Sequence, residues 1–334
     1  MRNETRLAYN AYLQTIAQLN GVESAATKFA VSTPVQQTLE TKIQHSSEFL
    51  QRINMVPVTE QNGEKLGLGI GGPIAGRTDT SSNDRATSDP TTLDGTGYTC
   101  KQTNYDTHIT YAKLDLWAKC ADFQTRIRDA SLRRQALDRI MIGWNGTSAA
   151  ATTNKVTNPL LQDVNIGWIK KYETDKAANV LLQGSTANQV RIGATGDFKT
   201  VDALVYDLIA NMVDPWYRED PNLVVLVGHD LMADKYFPLL NATQAPSEQL
   251  AADLVISQKR MGGRQAMAVP FMPAGVLMVT TFDNLSIYFQ EGARRRAIQD
   301  NPKRDRIENY ESSNDAYVVE DYGRGAIAKN ITFV

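Results

Sequence analysis

Cysteine and histidine are scarce: the 334 residues hold two cysteines, Cys100 and Cys120, and three histidines, His45, His108 and His229. Neither cysteine has a second cysteine or a histidine at ligand spacing, which excludes a disulfide framework and a structural zinc site. Both read as free thiols. Long apolar runs are missing as well. Nothing approaches the roughly 18 consecutive apolar residues of a membrane span, and the start, MRNETRLAYNAY, has no signal-peptide core. A soluble protein made in the cytoplasm is expected. An excess of one charge is also absent, since 35 Lys and Arg face 37 Asp and Glu for a net charge of -2. No global electrostatic drive therefore pulls the chain towards DNA or anionic lipid. What is present is an ordinary globular mixture, 42% hydrophobic and 22% charged, in a chain long enough for one large domain or two to three smaller ones.

Periodicity divides the chain. Leu7, Ala11, Ile16 and Leu19 stand near helical spacing over residues 4 to 19, and Asn20-Gly21 supplies a left-handed stop. Ser32-Thr33-Pro34 announces a second helix with Val35, Leu39, Ile43, Leu50 and Ile53 on one face. Together they predict an N-terminal arm joined by a flexible segment. Alternating Leu66, Leu68, Ile70 and, later, Tyr105, Thr107, Ile109, Tyr111 signal strands. Between them, residues 71 to 97 hold only Ile74 and Leu93 as large apolar residues, which predicts a long projecting loop. Residues 115 to 145 read as the clearest helix, with Phe123, Ile127, Ala130, Leu137, Met141 and Trp144 on one face and Gly146 as its end. About 25 helical residues at roughly 1.5 Å each make a rod of about 37 Å. Arg126, Arg128, Arg133, Arg134 and Arg139 decorate it, either as a solvated face or as a surface that meets an adjacent subunit. Residues 160 to 172 predict a short helix. Then the texture turns α/β: helix 200 to 213, strand 223 to 227, helix 230 to 240 and strands at 253 to 257, 276 to 281 and 285 to 289. Residues 291 to 311 mix both signs of charge densely and predict a surface or interface segment; a strand reopens at Tyr317.

Chemistry is sought and mostly not found. Gly67, Gly69 and Gly72 spell a literal G-x-G-x-x-G, but Pro73 and a Gly/Ser/Thr loop follow where a helix must open to aim its amides at a pyrophosphate. A glycine-rich hairpin explains the cluster better. Gly228-His229-Asp230 follows a strand, where α/β enzymes place functional groups, yet Asp230 also suits a helix cap and no nucleophile motif accompanies it. The triplet Arg294-Arg295-Arg296 is able to grip phosphate or carboxylate, but Glu291, Asp300, Asp305 and Glu308 nearby favour ion pairs. No catalytic, cofactor-binding or metal-ligating residue is assigned.

The blocks LDLWAKCADFQTRIRDASLRRQALDRIMIGWNG, NPLLQDVNIGWIKKY, DPNLVVLVGHDLMADKYFPLLN, LAADLVISQKRMGG and NPKRDRIENYESSNDAYVVEDYG resemble the major capsid proteins of P2-like tailed phages, across essentially the whole chain. The resemblance implies an α+β, HK97-like fold. Its parts would be an N-terminal segment 1–30 removed on maturation near Lys28-Phe29, an arm 31–55, an extended β-hairpin loop 56–113, a peripheral domain 114–199 with a long spine helix, a mixed α/β axial domain 200–290 and a return to the peripheral domain over 291–334. It further implies a non-enzymatic virion protein without cofactors. Copies would assemble in the bacterial host cytoplasm as hexamers and pentamers on an internal scaffolding protein with its protease, meet a portal, and enclose double-stranded DNA without sequence specificity or membrane.

Function in such a protein is repeated association, so the expected site is an interface. Ile74 and Leu93 are expected to anchor the loop tip on an adjacent subunit, with Arg133 and Arg134 on the long helix and Arg294, Arg295 and Arg296 setting registry. An arm and loop unable to bury their apolar residues alone are expected to lie on neighbours. Two other classes stay open at this point: another self-assembling protein, such as a tail-tube or encapsulin-like shell subunit, and an α/β enzyme built on His229 and Asp230.

Overall fold

The computed structural model describes residues 1–65, 75–87, 94–117, 123–241 and 259–334. Helix α1 (Asn3–Asn20) ends where Gly21 takes φ +64°, a left-handed position that glycine adopts without steric cost. Strand β1 (Phe29–Ala30) follows, then α2 (Thr33–His45), which opens with Pro34 in its first turn, and α3 (Glu48–Arg52). The single helix expected from Val35 to Ile53 is thus two, broken at Ser46-Ser47, where serine side chains compete with the helical backbone; the Ser46 hydroxyl donates to the Ile43 carbonyl at 2.7 Å. Next come β2 (Asn54–Val58), β3 (Asn62–Lys65), β4 (Asp94–Thr99), β5 (Lys101–Asn104) and β6 (Thr107–Thr110). Helices α4 (Tyr111–Trp117) and α5 (Phe123–Asn145) precede α6 (Trp168–Asp175), β7 (Val180–Leu181) and β8 (Val190–Ile192). The predicted helix over 160 to 172 starts only at Trp168. The remainder is α7 (Val201–Asn211), β9 (Val224–Val227), α8 (His229–Asn241), β10 (Arg260–Met261), β11 (Arg264–Ala268), β12 (Leu277–Thr280), β13 (Leu285–Gln290), β14 (Arg295–Asn301), β15 (Arg306–Val319), β16 (Ala326–Ala328) and β17 (Ile331–Phe333). The strand expected at 253 to 257 and the glycines at 67, 69 and 72 lie outside the described residues.

Two sheets organise these elements. In the six-stranded sheet, ordered β10-β11-β9-β12-β16-β7, alternate residues serve two different cores. Val224, Leu226, Met278 and Ile327 face a core shared with α5 and α6, whereas Val225, Val227, Leu277 and Val279 face one shared with α7. A sheet covered on both faces needs apolar residues at every position, which is why residues 223 to 227 read as the uninterrupted run LVVLV.

The seven-stranded sheet is centred on β15. Ser312 pairs with Arg295 on one side and Asn104 on the other, and Asp315 pairs with Phe289 and Lys101 in the same way. Strands β13 and β14 therefore lie end to end along one edge of β15, with β5 and β6 along the other. Between them the chain breaks at 291–294: Gly292 takes φ +70° and donates its N–H to the Gln36 side chain at 2.9 Å. The span 291–311, expected as a surface or interface segment, holds this break followed by β14 and the first part of β15, paired with each other in the sheet.

The arm also packs on its own chain. Ala25, Phe29 and Val31 are buried with Ile16 against Ile298 and Ile307, and β1 adds to the edge of β14. Leu7 and Leu19, expected on the inner face of α1, are 70% and 62% exposed. The inner face is instead formed by Tyr9, Tyr12, Leu13 and Ile16. On α5, likewise, Ala130 is exposed, and the buried stripe runs through Leu132, Ala136, Ile140 and Trp144.

Candidate assembly interface

The break at 291–294 separates three consecutive arginines into different roles. Arg294 turns inward and is fully buried; Arg295 on the first position of β14 is exposed; Arg296 is half-buried. Inside, Arg294 meets Arg139 from α5, Glu40 from α2, and Glu311 and Asp315 from β15, all five buried. Arg139 holds Asp315 through two bonds of 3.0 Å and clasps Glu40 with both terminal nitrogens. Arg294 donates to Glu40 at 2.7 Å, to Gln135 at 2.7 Å and to Glu311. Gln135 closes the ring by donating to Glu311 at 3.1 Å, and the Ser313 hydroxyl donates to Asp315 at 3.0 Å.

Charges taken out of water must find partners inside, and this cluster supplies them by convergence of three separate elements with the break at 291–294. Burial by itself would raise the Glu40 carboxyl, but Arg139 and Arg294 together hold it below the ordinary carboxylate range. Glu311 follows the same logic: burial raises it, and Arg294 with Arg296 brings it below. Burial would likewise lower the Arg139 guanidinium, and Asp315 and Glu40 lift it well above its usual value.

The placement of the expected interface residues corrects one of them. Arg294 is committed to its own chain and presents nothing to a neighbour; Arg296 is tied to Asn309 at 2.8 Å and to the Tyr12 hydroxyl. Arg133 and Arg134 are exposed on α5, the latter paired with Asp138 at 2.8 Å. Ile74 and Leu93 lie outside the described residues. Lys28 is exposed, whereas Phe29 is buried within β1. Glu40 carries no signal of its own in the sequence, and Arg139, grouped there with the arginines of a solvated or subunit-facing helix surface, is instead fully buried. The faint signal lies in their neighbours: each is one turn from a buried apolar residue, Ile43 and Ala136 respectively, on the inner stripe of its helix.

Among the described residues no hydrogen bond joins His229 to Asp230. Exposed His229 opens α8, and Asp230, expected as a cap, accepts instead from the Gly275 N–H at 2.9 Å. Burial pushes the Cys100 thiol up to about 12, leaving no thiolate near neutral pH. Among the described residues no cluster of His, Cys, Asp and Glu is arranged to hold a metal, and no helix is long and apolar enough to cross a membrane.

A long helix and arm clamped by buried ions to a β15-centred sheet, with a second sheet buried on both faces, define a subunit of the HK97-like shell class. Its comparisons with known proteins agree. A family model described as phage major capsid protein, P2 family, matches residues 8–331. The capsid protein of Escherichia phage P2 is 49% identical, with 99% of this chain and 95% of that protein aligned. The major capsid protein of Serratia phage KSP20 is 40% identical over 100% of this chain and 98% of its own. A subunit of the satellite phage P4 procapsid, solved together with a size determination protein, superposes with a TM-score of 0.84 at 46% identity over 100% of this chain and 99% of that one. The chain belongs to the P2 family of phage major capsid proteins. Many copies of it form the icosahedral shell of a virion, and its role is structural rather than enzymatic.

Proposed function

We propose that the chain builds its shell as hexamers and pentamers on an internal scaffolding protein, meets a portal at one vertex, and encloses double-stranded DNA without reading its sequence, all in the host cytoplasm. The observation that carries the container reading is the charge: a net of -2 leaves packaged DNA to its counterions and free to move. In this reading residues 31–55 are the arm, the hairpin within 56–113 is the extended loop, 114–199 with 291–334 form the peripheral domain and 200–290 the axial domain. Co-expression with and without scaffold, followed by electron microscopy, tests it; closed shells of uniform size formed without any scaffold would remove that partner from the reading.

The contacts between copies fall to the exposed arginines and the loop. Arg295→Glu, or Arg133→Glu with Arg134→Glu, is expected to abolish closed shells while the thermal midpoint of the subunit stays within a few degrees, because surface changes typically move stability by no more than about 0.5 kcal/mol; Ile74→Ser with Leu93→Ser is expected to abolish closed shells as well. Arg294→Ala is expected to do the reverse and destabilise the subunit itself, since it strands Glu311 and part of the Glu40 pairing without water.

Trimming of residues 1–30 near Lys28-Phe29 is part of the same reading, and it requires an opening step. Phe29 pairs with Arg296 in the sheet, and the Ile298 N–H donates to the Ala25 carbonyl at 3.0 Å. A protease needs extended, accessible backbone, so cleavage at this bond is expected to accelerate when Phe29→Ala loosens β1. Mass spectrometry of a timed digest by the scaffold-associated protease checks this; an unchanged rate would place the cut elsewhere.

A further inference from the structure

Beneath α1 lies a cavity of 360 Å³ that the shell function does not account for. Leu39, Leu132, Ile298 and Ile307 line it from α2, α5, β14 and β15, and Tyr9 and Tyr12 of α1 roof it. The cavity is far larger than the roughly 10–15 Å³ of such volume that a single water needs. Its size and mostly apolar lining are those of small-molecule sites.

The polar side of the cavity is cationic. Arg296 spends its Nε hydrogen on Asn309 and one Nη2 hydrogen on Tyr12, and its Nη1 makes no hydrogen bond among the described residues. Arg128, which pairs with Asp129 at 2.9 Å, also lines the cavity. The carboxylate in the lining, Glu311, is hydrogen-bonded by Arg294 and Gln135 rather than by Arg296, although the Arg296 charge acts on it. An occupant that complements this arrangement has an apolar body and a single anionic head.

We propose that this cavity binds a small anionic amphiphile, of the chemical class of medium-chain carboxylates, with its head on Arg296 and its tail between α1 and the sheet. Bound there, it fills the space under α1 and holds that helix in place.

Isothermal titration with decanoate of chains that keep residues 1–30, both as unassembled subunits and as closed shells formed without the protease, tests the proposal. One saturable site per chain is expected in each form, with decanol binding about tenfold more weakly because it lacks the charged head. Ser131→Phe, which projects a ring from α5 into the cavity, is expected to remove binding. Hydrogen exchange of residues 9–12 is expected to slow on adding decanoate, a readout that holds even if the variant folds poorly. The proposal is overturned by absence of saturable binding, by equal affinity for decanol, by binding that survives Ser131→Phe, or by binding to subunits but not shells, which would assign the groove to a neighbouring copy.

Discussion

Arg139→Ala is expected to lower the folding stability of the subunit by about 3–5 kcal/mol, the usual cost of stripping one partner from a buried ion cluster. The variant takes both 3.0 Å guanidinium bonds from Asp315, leaving it only the Ser313 and Tyr105 hydroxyls, and makes Glu40 dependent on Arg294 alone. Neither carboxylate is able to turn to water, since both are almost fully buried. Arg139→Lys is expected to recover only part of the loss, because one ammonium is unable to span Glu40 and Asp315 as the planar fork does. Urea unfolding followed by circular dichroism measures the difference. A loss under about 1 kcal/mol, typical of exposed pairs, would mean that water reaches the cluster.

The same residues set an acid limit. Glu40 and Glu311 titrate lower in the folded chain than they would unfolded, so the unfolded chain takes up protons first. Their contribution is complete above the ordinary carboxyl value of about 4.3 and is lost as pH falls through it towards the folded values. Unfolding midpoints measured from pH 7 down to pH 3 are expected to fall steeply in the unaltered protein. The fall is expected to be shallower in Glu40→Gln, which has one fewer such group.

Trp168→Ala is expected to be as damaging, about 3–5 kcal/mol, because it empties the middle of the larger core. The ring is fully buried, stacks edge-on against Trp144 at 5.0 Å and Tyr317 at 5.3 Å, and donates its Nε1 hydrogen to the Ser286 carbonyl at 3.1 Å. It fits only because α5 offers a glycine there: a Cβ on Gly143 would stand 2.3 Å from the ring. Gly143→Ala alone is therefore expected to cost about 1–3 kcal/mol through overpacking. With Trp168 already removed, most of that cost is expected to vanish. A double-mutant cycle should give a coupling of about 0.5–3 kcal/mol, and strict additivity would mean that the two groups do not meet.

Much of the fold was legible because some signals are local. The left-handed stop at Gly21, the proline entry at Pro34, the helix over Val201–Asn211 and the doubly buried strand Val224–Val227 are written in neighbouring residues. The errors have a common cause. Hydrophobicity and spacing point Leu7, Leu19 and Ala130 inward, but which stripe of a helix faces inward depends on what lies beneath it. Under α1 that is a sheet edge met by tyrosines. The arm was expected on a neighbour because its apolar residues looked too few to bury alone; β14 and β15 of the same chain receive them.

The candidate site divides along the same line. Residue type by itself determined that this protein carries almost no net charge and shares whole blocks with a shell-forming family, since these depend on which side chains exist. Whether an arginine is a surface contact or a buried keystone depends on where the chain turns. Arg294 and Arg295 are adjacent and identical in chemistry. The interruption between β13 and β14, held by Gly292 and Gln36, sends one into a ring with Glu40, Arg139 and Glu311 and leaves the other facing solvent. That ring gathers residues up to 275 positions apart, from Glu40 to Asp315, and only the tertiary structure could bring them together, because ion pairing is set by distance in space and burial, not by spacing along the chain.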